Sequence, residues 1–284
     1  MRHQIALRIG PIGFRVGSDW RAPIEALRDL YRDYPAPDVP DFTVRLEASR
    51  AWRRWIRPSV RIAGDYMLPE AAPLPLAHAL LAAEMGMNLQ LALGGRRYLL
   101  LHASAVERDG RALLMTGESG AGKSTLATLL AAAGWRFMGD EFALLDPGTG
   151  EVHAFPRLIS LKNDGIAAAQ RAWPEARFGP LLAATPKGDI RHLVPDRRAI
   201  AAMDVPARPA LLLFPRFGAD AAVRTVPPSE AFVRLTQAST NYVALGEAGF
   251  AALTGLVVEV PSVAIDYPDG DAAIAQIEAL WRAL

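Results

Sequence analysis

The residues with the clearest chemical meaning form a glycine-rich segment, Gly117-x-x-x-x-Gly122-Lys123-Ser124, which matches the P-loop pattern in full. Its glycines let the backbone curl so that several amides point inward, and the helix predicted after it presents its positive end to the same place. Lys123 could reach the β- and γ-phosphates of a nucleotide, and the Ser124 hydroxyl could ligate Mg²⁺. The predicted nucleotide-binding residues are Gly117, Glu118, Ser119, Gly120, Ala121, Gly122, Lys123, Ser124 and Thr125. A flexible turn is the alternative interpretation, and the predicted strand before and helix after the segment argue against it.

Two carboxylates, Asp140 and Glu141, follow the strand predicted after the P-loop helix. Strand ends on this side of an α/β sheet open onto the nucleotide crevice. One carboxylate could take the proton from an attacking hydroxyl while the other holds Mg²⁺. A helix cap or an exposed turn is the alternative role. Asp146 ends another apolar run and is a rival Mg²⁺ ligand, but Pro147 and Gly148 after it favour a β-turn.

Several cations beyond the acidic pair could offset the charge that spreads over transferring phosphate oxygens. Solvated surface charge is the alternative for each of them. The candidates for contact with substrate or phosphate are Arg157, Lys162, Lys187 and His192, with Arg191 beside the last.

The first part of the chain, residues 1–95, reads as a small α+β unit with a connecting helix. Helical spacing of apolar residues, period-2 alternation and Gly/Pro turns locate its elements. We predict strands at 5–9, 14–16 and 42–46, a helix at 24–31, and a long helix at 73–93 that ends at the glycines 94 and 95.

The second part, residues 96–284, contains the P-loop segment and reads as α/β. We predict strands at 98–101, 112–115, 135–138, 142–145, 152–155 and 210–214, and helices at 126–133, 229–245 and 271–284. Ser229 is a plausible N-cap of the second of these helices. Residues 165–200 show no clear period, so we predict loops there.

Composition limits the function classes. The formal net charge is +1, from 31 Lys and Arg against 30 Asp and Glu, so no global charge favours nucleic acid. Zero cysteines exclude disulfides and thiolate chemistry. The N-terminus does not read as a signal peptide, and the longest apolar stretch is interrupted by polar residues such as Glu84. We therefore expect no membrane segment and a cytoplasmic location.

One dense basic patch lies in the first part of the chain. Six arginines surround two tryptophans there: Arg45, Arg50, Arg53, Arg54, Arg57, Arg61, Trp52 and Trp55. The patch could receive an acidic protein, a phosphorylated ligand or a nucleic acid. The alternative is an exposed strand pair whose tryptophans pack on the core.

Residues 166–173 and the final helix could form a homo-oligomer contact, although core packing explains them equally well.

These motifs also carry a resemblance. His102-Ala103-Ser104-Ala105-Val106, the P-loop segment and Gly139-Asp140-Glu141 stand in the order and approximate spacing of the catalytic domain of HPr kinase/phosphorylase. With residues 156–163 added, the chain resembles the HPr-kinase-related kinases, over roughly residues 98–165. The resemblance implies a serine kinase that uses ATP and Mg²⁺, with Asp140 as catalytic base, His102 beside it and Glu141 assisting with the metal. The family has Asp where this chain has Glu141, and its C-terminal HPr-contacting segments are not recognisable here, so HPr as acceptor and a reverse phosphorylase activity have no support.

Together the residues favour an α/β fold, with a P-loop (HPr-kinase-like) domain at 96–284 behind a smaller α+β unit at 1–95. The predicted function is transfer of the γ-phosphoryl group of ATP to a hydroxyl of a protein, peptide or small-molecule acceptor, with Asp140, His102 and Lys123 as catalytic residues. One alternative is a binding module in which ATP controls a partner surface around Arg53 and Arg54. Simple nucleotide hydrolysis is a third alternative and the least favoured.

Overall fold

The protein is a mixed α/β fold with four sheets, seen in a computed structural model that describes residues 2–68 and 70–284. The strands are β1 (His3–Ile9), β2 (Ile12–Ser18), β3 (Phe42–Ala48), β4 (Ser59–Gly64), β5 (Leu74–Pro75), β6 (Leu99–Leu101), β7 (Ala103–Arg108), β8 (Arg111–Thr116), β9 (Arg136–Gly139), β10 (Ala143–Leu145), β11 (Val152–His153), β12 (Ile159–Lys162), β13 (Phe178–Thr185), β14 (Gly188–Leu193), β15 (Arg208–Phe217), β16 (Ala222–Thr225) and β17 (Ser262–Tyr267). The helices are α1 (Arg21–Leu30), α2 (Ala79–Gly94), α3 (Lys123–Ala132), α4 (Asp164–Ala172), α5 (Arg197–Ala201), α6 (Pro228–Ala238), α7 (Tyr242–Glu259) and α8 (Gly270–Arg282). Two 3₁₀ turns lie at Ala51–Arg54 and Leu76–His78.

The N-terminal sheet has the strand order β1-β2-β3-β4-β5, with only the β2–β3 pair parallel. Alternation of apolar and polar residues buries one face of β1 and β3, where α1 packs against β1 and β2 and α2 packs against β3 and β4. Gly86 lets α2 approach closely, since a Cβ there would lie 2.5 Å from Val44 Cγ1. The predicted strands and helices of this part are confirmed, except that the long helix begins at Ala79 rather than at residue 73.

The central sheet has six strands in the order β16-β17-β15-β8-β7-β9. β8, β15 and β17 are parallel neighbours, and alternate residues along them belong to two different apolar clusters. On one face Leu113 and Leu213 meet α3, α4 and α8, while on the other Leu114 and Leu212 meet α6 and α7. Because both faces are covered, these strands read as continuous apolar runs rather than as alternating ones.

The direction of β9 determines where the acidic pair lies. β9 is antiparallel to β7, and β7 is antiparallel to β8, so β9 runs in the same direction as β8. The carboxyl ends of β8 and β9 therefore lie at one edge of the sheet, with the start of β7 between them. The glycine-rich loop leaves this edge from β8, and Asp140 leaves it from β9.

Three sequence predictions for the second part of the chain are wrong. Residues 165–200, predicted as loops, contain most of α4, together with β13, β14 and α5. The helix predicted at 229–245 is two helices, since α6 ends at Ala238 and α7 begins at Tyr242. The break follows from buried Asn241, whose side chain accepts from the Leu100 amide (2.9 Å) and donates to the Tyr98 carbonyl (2.8 Å). Ser229 is not the N-cap, because Pro227 occupies that position.

Within residues 2–68 and 70–284, one helix is long and apolar enough to cross a membrane, and it is α7. Gly246 interrupts it with non-helical angles (φ 57°, ψ −128°). Leu253 and Leu256 pack it into an apolar cluster shared with the central sheet. A single helix of this kind is weak evidence for a membrane segment, and the fold is compatible with a soluble protein.

The two predicted parts share one apolar core. Phe14 of β2 packs against Phe155, with ring centroids 6.2 Å apart, and both belong to a cluster that continues into Leu144. The Tyr34 hydroxyl donates to the Pro156 carbonyl (2.6 Å). The boundary at residues 95 and 96 stays a prediction, but side chains from both sides of it are buried together.

A buried polar cluster lies within this shared core. The Arg157 guanidinium donates to the Glu84 carboxylate (2.5 Å) and to the Asn88 side chain. The Tyr31 hydroxyl donates to the same carboxylate at 2.9 Å. The side chains of Arg157 and Glu84 are only 4% and 5% exposed, so neither charge has water as an alternative partner.

This ion pair generates a prediction for stability. Arg157→Met should lower the free energy of unfolding by about 3–5 kcal/mol, because it leaves the Glu84 charge buried without a cation. The double variant Glu84→Gln/Arg157→Met should recover much of that loss, since the glutamine side chain carries no charge and still accepts from Tyr31. Urea unfolding at neutral pH measures both variants. Arg21→Met, which removes the exposed partner of Glu25, is the control and should have a small effect. A double variant as unstable as Arg157→Met alone would contradict the explanation.

Candidate functional site

The glycine-rich loop connects the end of β8 to the start of α3. Gly120 and Gly122 both adopt a φ of 89°, which side chains rarely tolerate, and α3 begins at Lys123 directly after Gly122. The amides in the first turn of a helix have no intrahelical acceptors. In the described part of the chain only the Ala121 amide of residues 119–125 donates to a backbone carbonyl outside a helix, at 3.3 Å to Glu118. The loop and helix start thus present a concentration of unpaired amides at one edge of the sheet.

Lys123 folds over this loop. Its ammonium donates to the carbonyls of Gly117 (2.7 Å) and Glu118 (3.0 Å), and the residue is 9% exposed. Burial lowers the pKa of Lys123, the Asp140 and Glu141 carboxylates oppose that change, and Lys162 adds to it. The Lys123 ammonium is therefore close to two negative charges, those of Asp140 and Glu141, and to the positive charge of Lys162.

Tyr267 holds the loop from the neighbouring strand β17. Its hydroxyl donates to the Ala121 carbonyl at 3.0 Å, and burial raises the pKa of Tyr267 to about 12. Its ring lies 5.7 Å from that of Phe217, which ends β15 and is 58% exposed. Neither aromatic residue was singled out from the sequence, because each is separated from the loop by about a hundred residues or more.

Asp140 is the buried carboxylate of the site, at 3% exposure. The Ser104 hydroxyl donates to its Oδ1 at 2.5 Å, whereas Oδ2 is buried and accepts no hydrogen bond of good geometry from residues 2–68 or 70–284. Burial, and then the negative charge of Glu141, raise the pKa of Asp140, while the Ser104 and Ser124 hydroxyls and His102 oppose the rise. One oxygen of this buried carboxylate is therefore left without a well-formed hydrogen bond, although the Ser124 hydroxyl at the start of α3 is close enough to lower the pKa of Asp140. An orphaned acceptor of this kind requires an explanation.

Glu141 and His102 form the half-exposed side of the site. Glu141 has a φ of 75°, an unusual conformation for a residue with a side chain. His102 Nδ1 donates to the Glu141 carbonyl at 3.0 Å and lies 3.6 Å from its carboxylate. Because a carbonyl can only accept, Nδ1 carries the proton in this contact. His102 touches Glu141 directly and acts on Asp140 only through its charge.

The four cations predicted to contact phosphate or substrate lie in different places. Lys162, at the end of β12, is close enough to lower the pKa of Lys123 and joins the site. Lys187 is exposed in the β13–β14 turn, which Asn163 ties to β12 through its side-chain acceptor for the Asp189 amide (3.1 Å).

Arg157 and His192 lie outside the site. Arg157 is committed to the buried pair with Glu84. His192 is 1% exposed and lies in the same polar cluster, where burial lowers its pKa, Glu84 raises it and Arg157 lowers it further. Neither residue is brought to the glycine-rich loop.

Thr125 and Asp146 make contacts that support the local fold. Thr125 Oγ1 packs against Gly165, where an added Cβ would lie 2.6 Å away. Asp146 Oδ1 accepts from the amides of Gly148 (2.8 Å) and Thr149 (3.2 Å), which confirms the predicted turn role. Ser104, the donor to Asp140, had no assigned role. The sequence signal that could have indicated a role for Ser104 was its position two residues after His102.

No group of three or more His, Asp or Glu residues within 2–68 and 70–284 could hold a metal ion alone. Mg²⁺ is usually bound through one or two protein ligands, phosphate oxygens and water rather than in a protein cage. The Ser124 hydroxyl and the Glu141 carboxylate, both close to Asp140, are oxygen donors of the kind this ion prefers.

Comparison with known proteins gives a similarity to one described family over part of the chain. Residues 79–203 match the family described as SynChlorMet cassette protein ScmC. The match runs from the start of α2 to just past α5 and includes the glycine-rich loop and the acidic pair, but it covers less than half of the 284 residues. No curated protein matches the chain. The family description names no chemistry, so function must be argued from the site.

Gly120 and Gly122 form a matched pair for testing the loop geometry. Alanine strains both alike because their φ values are equal, but an added Cβ meets nothing within 4 Å at Gly120 and lies 2.3 Å from Tyr267 Oη at Gly122. We expect Gly122→Ala to cost about 1–3 kcal/mol more in unfolding free energy than Gly120→Ala. In a Tyr267→Phe background the nearest atoms would be Cζ at 3.5 Å and Phe217 Cβ at 3.6 Å, so that excess should disappear. An excess that persists without the hydroxyl would show that Tyr267 is not its cause.

The raised pKa of Asp140 predicts a pH dependence of stability. In the unfolded chain this carboxyl titrates near its ordinary pKa of about 3.9. Because the folded pKa is higher, the stability that the neutral form contributes is fully present below about pH 4 and is lost as the pH rises through the folded pKa. Asp140→Asn cannot ionise, so its stability relative to wild type should increase over this window, by about 1.4 kcal/mol for each unit of raised pKa.

Urea unfolding at a series of pH values measures this difference. Asp109→Asn removes an exposed carboxylate from the β7–β8 turn at the opposite edge of the sheet, and is the control. A difference between Asp140→Asn and wild type that stays constant with pH would contradict the argument.

Proposed function

We propose that the protein is a P-loop kinase that transfers the γ-phosphoryl group of ATP to a hydroxyl, in keeping with the HPr-kinase-like resemblance of its motifs. The observation that carries the proposal is the buried Asp140, which lies close to Ser124 and Lys123 and has one oxygen without a hydrogen bond in the described part of the chain. A serine of a protein or peptide is the favoured acceptor, with a small-molecule hydroxyl as the other possibility.

Phosphate binding is supported by the loop and the helix start. Unpaired amides and the positive end of a helix favour an anion. Lys123 now donates to two carbonyls of its own loop, and a phosphate oxygen would be a better acceptor because it carries negative charge. Lys162 beside it adds a second ammonium group for the terminal phosphate.

The transfer step assigns Asp140 as general base. The acceptor oxygen forms a bond to the γ-phosphorus as the bond from that phosphorus to the bridging oxygen breaks, so ADP leaves with the bonding electrons. The acceptor proton passes to Asp140. A base works best when its pKa lies nearer the working pH, and burial raises the pKa of Asp140 in that direction. His102, held by its Nδ1 proton on Glu141, is a positioning residue for the acidic pair.

Ser124 and Glu141 are the residues that would hold Mg²⁺. The ion would supply charge neutralisation for the phosphates. We place the activity in the cytoplasm, where ATP is available, as part of the same proposal.

Phosphotransfer from labelled ATP with Mg²⁺ tests this function. A degenerate peptide library with a fixed central serine is the acceptor, and the same library with alanine in its place is the matched control. We expect label only with the serine library, a loss of about 10²–10⁴-fold in rate for Asp140→Asn, and retained binding of a non-hydrolysable ATP analogue in calorimetry. Lys123→Ala should weaken that binding.

The other outcomes separate the alternatives. Equal labelling by wild type and Asp140→Asn would remove Asp140 from the mechanism. Binding of the analogue without transfer to any hydroxyl, together with partner binding that depends on nucleotide, would favour the ATP-binding module. No binding of the analogue by the folded protein would end the proposal as a whole.

A further inference from the structure

A second candidate binding surface lies in the N-terminal part, between the loop that joins β3 to β4 and the segment around β5. We call it the Arg–Trp groove, and it is lined by Arg50, Trp52, Arg53, Arg57, Pro58 and Pro75, among others. Its volume is about 820 Å³. That volume suits several residues of an extended chain rather than a single ion.

The groove carries positive charge that the protein does not neutralise. In the described part of the chain, Arg50, Arg53 and Arg57 form no ion pair with a carboxylate. Their neighbours differ, since Arg45 and Arg61 both pair with Glu47, at 3.4 and 3.1 Å. Three uncompensated guanidinium groups along one groove favour an anionic ligand, and carboxylates match their geometry.

The wall that carries these arginines is held in place before any ligand binds. The Ser49 and Ser59 hydroxyls lie 2.5 Å apart across the base of the loop. The Trp20 indole donates to the Arg54 carbonyl at 3.1 Å, and Arg53 donates to the Arg57 carbonyl at the same distance. A wall fixed in this way loses little conformational entropy when it binds a partner.

The groove also lies along a route to the candidate site. The Leu76 amide, on the opposite wall, donates to the Pro58 carbonyl at 3.0 Å. His78, two residues later, contacts the Ala183 carbonyl of β13 at 3.0 Å. β13 continues into the turn that carries Lys187 and that Asn163 ties to the end of β12, beside Lys162. One hairpin therefore connects the groove with the candidate phosphate site.

We propose that the Arg–Trp groove docks an acidic, partly apolar peptide segment of the phosphate acceptor, away from the hydroxyl that receives phosphate. This rests on the proposed kinase function. A peptide is favoured over nucleic acid because Trp52, the one aromatic side chain among the groove's described lining residues, is already covered on one face by the Arg53 guanidinium, 4.3 Å from the ring centroid. The proline walls provide apolar contact for side chains between the acidic residues.

Fluorescence anisotropy of the full chain without nucleotide tests the groove itself. The probe is a labelled peptide of glutamate, leucine and proline, compared with the same peptide carrying lysine for glutamate and with a single-stranded oligothymidine of equal charge. We expect the glutamate peptide to bind most tightly, and Arg53→Gln/Arg57→Gln to weaken it at least about tenfold. Arg171→Gln/Arg197→Gln removes two exposed arginines elsewhere and should change binding less than about twofold. Thermal unfolding of both variants verifies that each is folded.

Two outcomes would overturn the inference. Oligothymidine that binds as tightly as the glutamate peptide would identify a nucleic-acid surface, and an equal loss in both arginine pairs would identify non-specific charge. A second readout links the groove to transfer: a glutamate-rich extension on a serine peptide should lower KM in wild type but not in Arg53→Gln/Arg57→Gln, with kcat unchanged. Peptide binding without any phosphotransfer would support the groove as a peptide-binding surface and contradict the proposed kinase function. Phosphotransfer without peptide binding would support the kinase function and contradict the proposed role of the groove.

Discussion

The register of β7 between β8 and β9 is the constraint that brings the candidate site together. Ala103 pairs with Thr116 at the end of β8, and Ala105 pairs with Gly139 at the end of β9. The glycine-rich loop and Asp140 thus leave the sheet two strand positions apart, roughly 10 Å, with Ser104 between them. Because side chains alternate along a strand, a slip of one residue would turn Ser104 to the other face and remove its hydrogen bond to the buried carboxylate.

Two buried carboxylates show how surroundings separate a structural role from a chemical one. Glu84 has a guanidinium and a phenol as donors, so its charge is compensated inside the core. Asp140 has one serine hydroxyl, and the ammonium of Lys123 is engaged with loop carbonyls instead. Burial therefore disfavours the charge of Asp140 and raises its pKa. A carboxylate left in this state contributes little to stability, and perturbed groups of this kind cluster at functional sites.

Local pattern predicted the parts of the site that are near each other in sequence. The edge location of the loop and of Asp140 follows from a strand, a glycine-rich turn and a helix in succession. β13 was missed because two register shifts give it a burial period of three rather than two, which reads as neither strand nor helix. The burial of Arg157 and the hydroxyl of Tyr267 depend on partners 73 and 146 residues away, and no local pattern contains such contacts.

The short strand β12 explains why the N-terminal part matters to the site at all. Just before this strand, Tyr34 binds the Pro156 carbonyl and Glu84 binds the Arg157 side chain. Lys162 lies at the other end of β12, four residues after Leu158, and is close to Lys123. Because β12 has only four residues and pairs with β14, the buried cluster just before it constrains the position of Lys162 at its end. The Arg157–Glu84 ion pair therefore does more than stabilise the core. It also helps to position Lys162 next to the glycine-rich loop, so the N-terminal part of the chain contributes to the candidate site.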